Sequence, residues 1–538
     1  MIAALRFTAR GPRDKPGRMM TGVAQMFRAT ISMALAAGLL AGCATVPSAP
    51  TGLALGQLAR TGTVDPRYQS YNVEMVEVTG GRFWAPYGGP AGERYRMRPA
   101  LDLSASRIRN LARPLGPVYL RVSGTWANST YLPLAGETPA APPEGYQQVL
   151  TRDQWRGVID FARAVDARIV TSFPSSSGAR APDGSWKPEQ AQRLLDLTRE
   201  AGGSIYGAEL FNEPTVPPFG GFPKGYNAAD YIRDFRIFRE WARKAAPGLK
   251  LTGTGGASEA TMLKHTPENA ARGFLSSEDL LAGIPGSLDI VSYHFYGSAS
   301  ERCQVSPLGA KEAALSPEWV DLTLTDFAYY AGLRDTYAPG KPLWLNETAQ
   351  AACGGSPWAA TFLDSFRYLN QLGALAQKGV QVVAHNTLAA SDYALIDYDT
   401  MMPRPNYWAA VLWRRTMGST VLASPASPAP EMRLYAHCLP ASDKGGGRGG
   451  VGLLAINIGT AAQRLDVANG TSWSMQATPL DSKTMTVNGV VPAVGADGAI
   501  SGLDGAAVRG GLSVPGQSIA FVAVPAAANP ACAKAPAR

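Results

Sequence analysis

Short apolar runs alternate along the chain with longer segments whose apolar positions recur every three or four residues. Runs suited to buried strands lie at 71–78, 118–124, 167–173, 205–213, 249–256, 288–297, 342–349 and 380–387. Between them, segments such as 151–166, 228–246 and 358–378 have an apolar spacing near 3.6, which predicts helices. Polar residues gather at the C-terminal ends of the runs. The pattern predicts an α/β fold, a (β/α)8 TIM barrel over 71–417 with its active site at that mouth. Beyond 418 the period changes. Alternating segments at 432–438, 451–458, 463–468, 484–490 and 518–524 are separated by Gly, Asp and Asn turns without helices. They predict an antiparallel β-sandwich over 418–538.

An apolar fraction of 46% in 538 residues excludes a disordered chain. The formal charge is +8, but residues 1–42 carry five Arg and one Lys against one Asp, a net +5, which leaves +3 for the rest. A nucleic-acid partner is therefore not expected. There are four His, at 265, 294, 385 and 437, and no Cys-x-x-Cys, so neither a metal centre nor a cofactor is expected.

Residues 1–43 read as a signal peptide. Arg28 supplies positive charge, 31–39 form a short apolar run, and Leu40-Ala41-Gly42-Cys43 resembles a bacterial lipobox. Acylated Cys43 would anchor the chain to a membrane of the cell envelope, and 44–70, rich in Ala, Pro, Gly and Thr at its start, would be a tether. Four Cys then remain, and an even count in an exported chain predicts two disulfides. Three connectivities are open. Cys303–Cys353 with Cys438–Cys532 is preferred because it keeps each pair in one domain.

Two Glu end two runs in the same idiom: Phe211-Asn212-Glu213-Pro214 closes the fourth and Leu345-Asn346-Glu347-Thr348 the seventh. Strands 4 and 7 face each other across a barrel mouth. Glycoside hydrolysis needs such a pair, one carboxyl to protonate the leaving oxygen and one carboxylate to attack or to activate water. Carboxyls about 5–5.5 Å apart imply retention of configuration, and about 6.5–9.5 Å inversion.

The order Asn212-Glu213-Pro214, Glu347 followed by Cys353-Gly354-Gly355, His385-Asn386, Asp392-Tyr393 and Asn406-Tyr407-Trp408 resembles glycoside hydrolase family 79, the group of heparanase and microbial β-glucuronidases. Tyr119–Thr125, His294-Phe295-Tyr296 and Arg433–Cys438 also match, so the resemblance spans roughly 70–535. It implies a retaining hydrolase acting on a carbohydrate, a β-glucuronide, with Glu347 as nucleophile and Glu213 as acid/base. It further implies that Gly354, Gly355 and Tyr393 hold the uronate carboxylate, that Tyr296 donates to the nucleophile, and that Asn212 binds the sugar 2-hydroxyl. His294, Glu74 and Asn386 fall near the sugar, and Trp84, Trp126 and Trp186 are candidate stacking platforms. A disulfide at Cys353 would pin the Gly pair. A neutral-sugar specificity (xylosidase or glucosidase) and a non-catalytic glycan-binding lipoprotein are the alternatives. Nothing in the pattern specifies an oligomeric state.

Overall fold

The computed structural model describes residues 53–90, 92–303, 309–440, 449–467 and 469–533. The expected signal peptide and Cys43 lie outside the described residues.

Eight parallel strands close into a barrel: Gln69–Glu74, Val118–Ser123, Ala167–Ser172, Ile205–Glu209, Lys250–Ala257, Ile290–Tyr296, Leu343–Ala349 and Val382–His385. Most are buried along nearly their whole length, because helices cover the outside and side chains fill the inside. Each apolar run expected from the sequence holds one barrel strand, but the ends differ. The first run is a strand only to Glu74; Met75–Thr79 form a short helix capped by Glu74 and Glu77. The fourth strand stops at Glu209, so Glu213 lies in the loop beyond it.

The helix Arg152–Ala164 shows how the outer layer forms. Thr151 and Gln154 cap its start reciprocally, and Trp155, Val158, Ile159, Phe161 and Ala162 make one buried face against the barrel. No helix of the described residues is long and apolar enough to cross a membrane.

The C-terminal region is an eight-stranded antiparallel sheet. Its central strands Val451–Asn457 and Ser518–Val524 are buried throughout, since both faces are covered. Leu453, Ala455, Ala520 and Val522 pack with Leu465 and Val514 of a small second layer. On the other face, Leu454, Ile456, Ile519 and Phe521 join the barrel core. At this junction Gly373, in the helix Phe362–Gln377, has no room for a side chain: a Cβ there would sit 2.2 Å from the Tyr435 ring.

The segment expected to be a tether contributes to this sheet. Arg60–Thr63 pairs antiparallel with Thr420–Leu422, and 53–58 packs on the sheet through Leu55. Its small polar residues hid the strand from a hydrophobic pattern, because this edge is held by backbone hydrogen bonds and not by an apolar face. Disulfides join Cys303 to Cys353 and Cys438 to Cys532, the preferred connectivity.

Candidate active site

The barrel mouth holds a layer of buried polar residues centred on Arg121, which sits mid-strand in an otherwise apolar run. Its Nε and Nη2 donate to Glu209 Oε2 at 3.1 and 2.9 Å, its Nη1 to Glu347 Oε2 at 2.7 Å, and its Nη2 also to Asn212 Oδ1 at 2.7 Å. Glu209 further accepts from Ser292 and Asn346. Such a buried charge is tolerable only because every partner is in place; losing one leaves an unpaired charge at a cost of about 3–5 kcal/mol.

Asn346 and Glu347 are consecutive, yet both face this interior network. A regular strand would send them to opposite faces. The pairing with the sixth strand slips here: Tyr293 aligns with Leu345, but His294 aligns with Glu347. The irregularity leaves Asn346 as an extra residue and turns Glu347 inward, a known use of bulges beside active sites.

Glu347 is buried and doubly supported, accepting from Arg121 and, at Oε1, from Tyr296 OH at 2.7 Å. Burial pushes its carboxyl up, but His294, Arg121 and the Tyr296 hydrogen bond together hold it below its ordinary value. It is therefore ionised and aimed. Glu213 is more accessible and sits at φ +47°, in the left-handed region, where a non-glycine residue is strained. Its carboxyl meets His294, whose Nδ1 stands 3.0 Å from Glu213 Oε1. His294 Nε2 faces the Arg121 Nη2 donor at 3.3 Å, so in the neutral ring Nε2 accepts and Nδ1 carries the proton.

One carboxylate oxygen each of Glu213 and Glu347, with a His294 nitrogen, lie within 4.8 Å of one another. So close an approach of single oxygens agrees with the retaining spacing of about 5–5.5 Å better than with the inverting one of about 6.5–9.5 Å. Three such atoms can also ligate a metal. Here the Arg121 guanidinium already occupies the cation's electrostatic place, donating to Glu347 and facing His294, so the donor set favours proton sharing over a metal ion.

The remaining expected residues divide. Asn386 Nδ2 lies 3.0 Å from Glu74 Oε1, 3.0 Å from Tyr296 OH and 3.1 Å from Tyr393 OH, which brings all four to one wall beside Glu347. Burial, and then the Glu347 charge, push Glu74 well above the usual carboxylate range, which favours its protonated form. Glu74 Oε2 and Asn212 Nδ2 are buried without a protein hydrogen bond among the described residues. Gly354 and Gly355 both have φ near +80°, and side chains there would collide with Trp84 and Ala359. The expected Gly pair is not equivalent: Gly355 N–H is donated to Ala351 O at 3.1 Å, while Gly354 N–H has no partner among the described residues. Trp186 is a core residue, whereas Trp84 and Trp126 are half-buried near the mouth.

Sequence reasoning passed over Glu209 and the role of Arg121, and also Asn128, which donates to Asn212 O and accepts from Asn212 N–H. The charge at Arg121 inside a buried run was the available signal.

No family model matches the chain. It is 24% identical to heparanase-like protein 1 of Arabidopsis thaliana over 408 residues, 72% of this chain and 70% of that protein. To the heparanase of Bos taurus it is 25% identical over 454 residues, 75% of this chain and 76% of that one. To that of Gallus gallus it is 28% identical over 321 residues, covering 56% and 57%. These similarities agree with the resemblance to glycoside hydrolase family 79. Among solved structures, a 4-O-α-L-rhamnosyl-β-D-glucuronidase from Fusarium oxysporum 12S superposes with a TM-score of 0.60 at 14% identity, over 87% of this chain and 99% of the other. An α-L-arabinofuranosidase from Thermotoga maritima gives 0.59 at 15% identity, over 87% and 98%. Both share the fold.

Proposed function

We propose that this glycoside hydrolase, which its paired carboxylates and heparanase relatives identify as a retaining one, releases β-linked glucuronic acid. The observation that carries the mechanism is the approach of the Glu213 and Glu347 oxygens to within 4.8 Å across the mouth. Glu347 Oε attacks the anomeric carbon as the bond from that carbon to the aglycone oxygen breaks, and Glu213 gives its proton to that oxygen. Water then attacks the same carbon, Glu213 takes the water proton, and the ester to Glu347 breaks. Two inversions give net retention.

The uronate specificity rests on Gly354 N–H and Tyr393 OH, donors that carry no formal charge. The test is the initial rate on aryl β-glucuronide beside aryl β-glucoside and β-xyloside, with Glu347→Gln as blank. Turnover of the glucuronide alone supports the reading; turnover of the neutral sugars alone overturns the specificity and keeps the mechanism. The neutral-sugar reading gains from one observation, the loss of Gly355 N–H to Ala351.

The lipid anchor at Cys43 is part of the same proposal, resting on the Leu40–Cys43 tetrapeptide. It places the enzyme in a bacterial envelope, and an intact mass showing any mature N-terminus other than acylated Cys43 overturns it.

A further inference from the structure

We infer that Arg302 is a positioning residue for sugar selectivity: it holds the Cys353–Gly355 turn so that the Gly354 N–H is aimed at the substrate carboxylate. The inference deepens the glucuronide reading and rests on it.

Arg302 comes from the loop after the sixth barrel strand, one residue before the disulfide at Cys303. Its Nη1 donates to Cys353 O at 3.2 Å and to Gly355 O at 3.0 Å. Its Nη2 donates to Asp392 Oδ2 at 2.6 Å and to Ala85 O. The guanidinium also lies 3.8 Å from the centroid of the Tyr87 ring. One side chain thus gathers the loops that follow strands 1, 7 and 8 onto its own. Lys, with one point charge, cannot reproduce this fork.

The geometry of the turn explains the consequence. In a trans peptide the C=O and the following N–H point in opposite directions. Drawing Cys353 O toward Arg302 therefore turns Gly354 N–H to the other side of the chain. The same peptide is polarised by the cation at its carbonyl, which strengthens its N–H as a donor. Its neighbours are spent: Gly355 N–H on Ala351 O, and Ser356 N–H on Gln350 Oε1 at 2.8 Å. Asp392 neutralises Arg302, and both side chains are about one-twentieth exposed, at 6% and 5%. Arg302 is accordingly no substrate ligand; it acts through the turn. Asp392 precedes Tyr393, and its own N–H is donated to Gly354 O at 3.1 Å, so the same clamp sets the Tyr393 loop against the turn.

The experiment compares the full chain with Arg302→Met and Arg302→Lys, measuring kcat and KM on aryl β-glucuronide and aryl β-glucoside. The expected result is at least a tenfold fall in the glucuronide-to-glucoside ratio of kcat/KM for Arg302→Met, carried by KM for the glucuronide, with Arg302→Lys between it and the wild type. A merely structural role lowers both substrates by one factor together with the melting temperature, and that outcome overturns the inference. So does an unchanged ratio in Arg302→Lys should the Met variant fail to fold. A wild-type chain with no preference for the glucuronide overturns the parent reading; a wild-type preference that survives in both variants overturns Arg302 alone.

Discussion

His294 Nδ1 stands 3.0 Å from Glu213 Oε1, and the same nitrogen is 3.7 Å from Glu347 Oε2, so a single ring atom lies between the two carboxylates. Burial disfavours the charged ring, but Glu347 and the hydrogen bond to Glu213 outweigh it and raise His294 above its ordinary value. The ring orients the Glu213 carboxyl, and its Nδ1 is placed to share a proton with it. Replacing His294 by Phe is expected to lower kcat on the order of 10²-fold with little change in KM, read from steady-state rates on an aryl β-glycoside. A change confined to KM would remove the proton role.

The Gly124 backbone packs against Glu74. It has φ +92°, and a Cβ there would lie 1.8 Å from Glu74 Oε2. Gly124→Ala is expected to displace Glu74, raising KM several-fold and lowering the melting temperature. Gly62→Ala, with open space around its Cβ, serves as the control. Equal behaviour of the two variants would refute the steric argument.

Glu259 reports on pH. It is buried, accepts from Ser277 N–H at 2.8 Å and from Tyr330 OH at 2.9 Å, and burial pushes it up to about 7. The folded state therefore holds this proton more tightly than the unfolded chain. The associated stability is complete below the unfolded carboxylate value of about 4.3 and is lost as pH rises toward 7. In Glu259→Gln the amide oxygen still accepts from Ser277, and the amide nitrogen donates to the Tyr330 oxygen. Calorimetry from pH 5 to 8 should show the variant gaining on the wild type as pH rises, and the opposite slope would contradict the burial argument.

The two disulfides should separate. Cys438–Cys532 spans 94 residues within the sheet region, so the double Ala variant should lose about 2–5 kcal/mol in urea unfolding, with catalysis intact at low temperature. Cys303–Cys353 adjoins Gly354, and its double Ser variant should lose glucuronide turnover out of proportion to its stability. Loss of activity in the first variant at temperatures where it stays folded would show that the sheet supports the mouth directly.

The barrel was legible because each strand is an apolar run long enough to be fully buried, and Glu213 and Glu347 because the Asn-Glu idiom recurs at two such runs. Their surroundings were less so. Nothing in Leu345-Asn346-Glu347 announces the slip in register that turns two adjacent side chains inward. Nor does Gly354-Gly355 reveal that one N–H is consumed by Ala351. Arg121 was visible but unread, since a charge in a strand acquires meaning only when its partners Glu209 and Glu347 arrive from other strands and Asn212 from a loop. Arg60–Thr63 escaped because edge strands need no hydrophobic face.

That edge strand bears on how the chain is made. Thr61 and Val421, bonded through Thr61 Oγ1, are 360 residues apart. On the ribosome, Arg60–Thr63 emerges before any barrel strand and must stay unpaired until Thr420–Leu422 follows. Its short, polar composition keeps it from seeking another edge during that wait. A strand made after the barrel therefore locks in one made before it, and a nascent barrel keeps Arg60–Thr63 unpaired, open to proteases, until Thr420–Leu422 is in place.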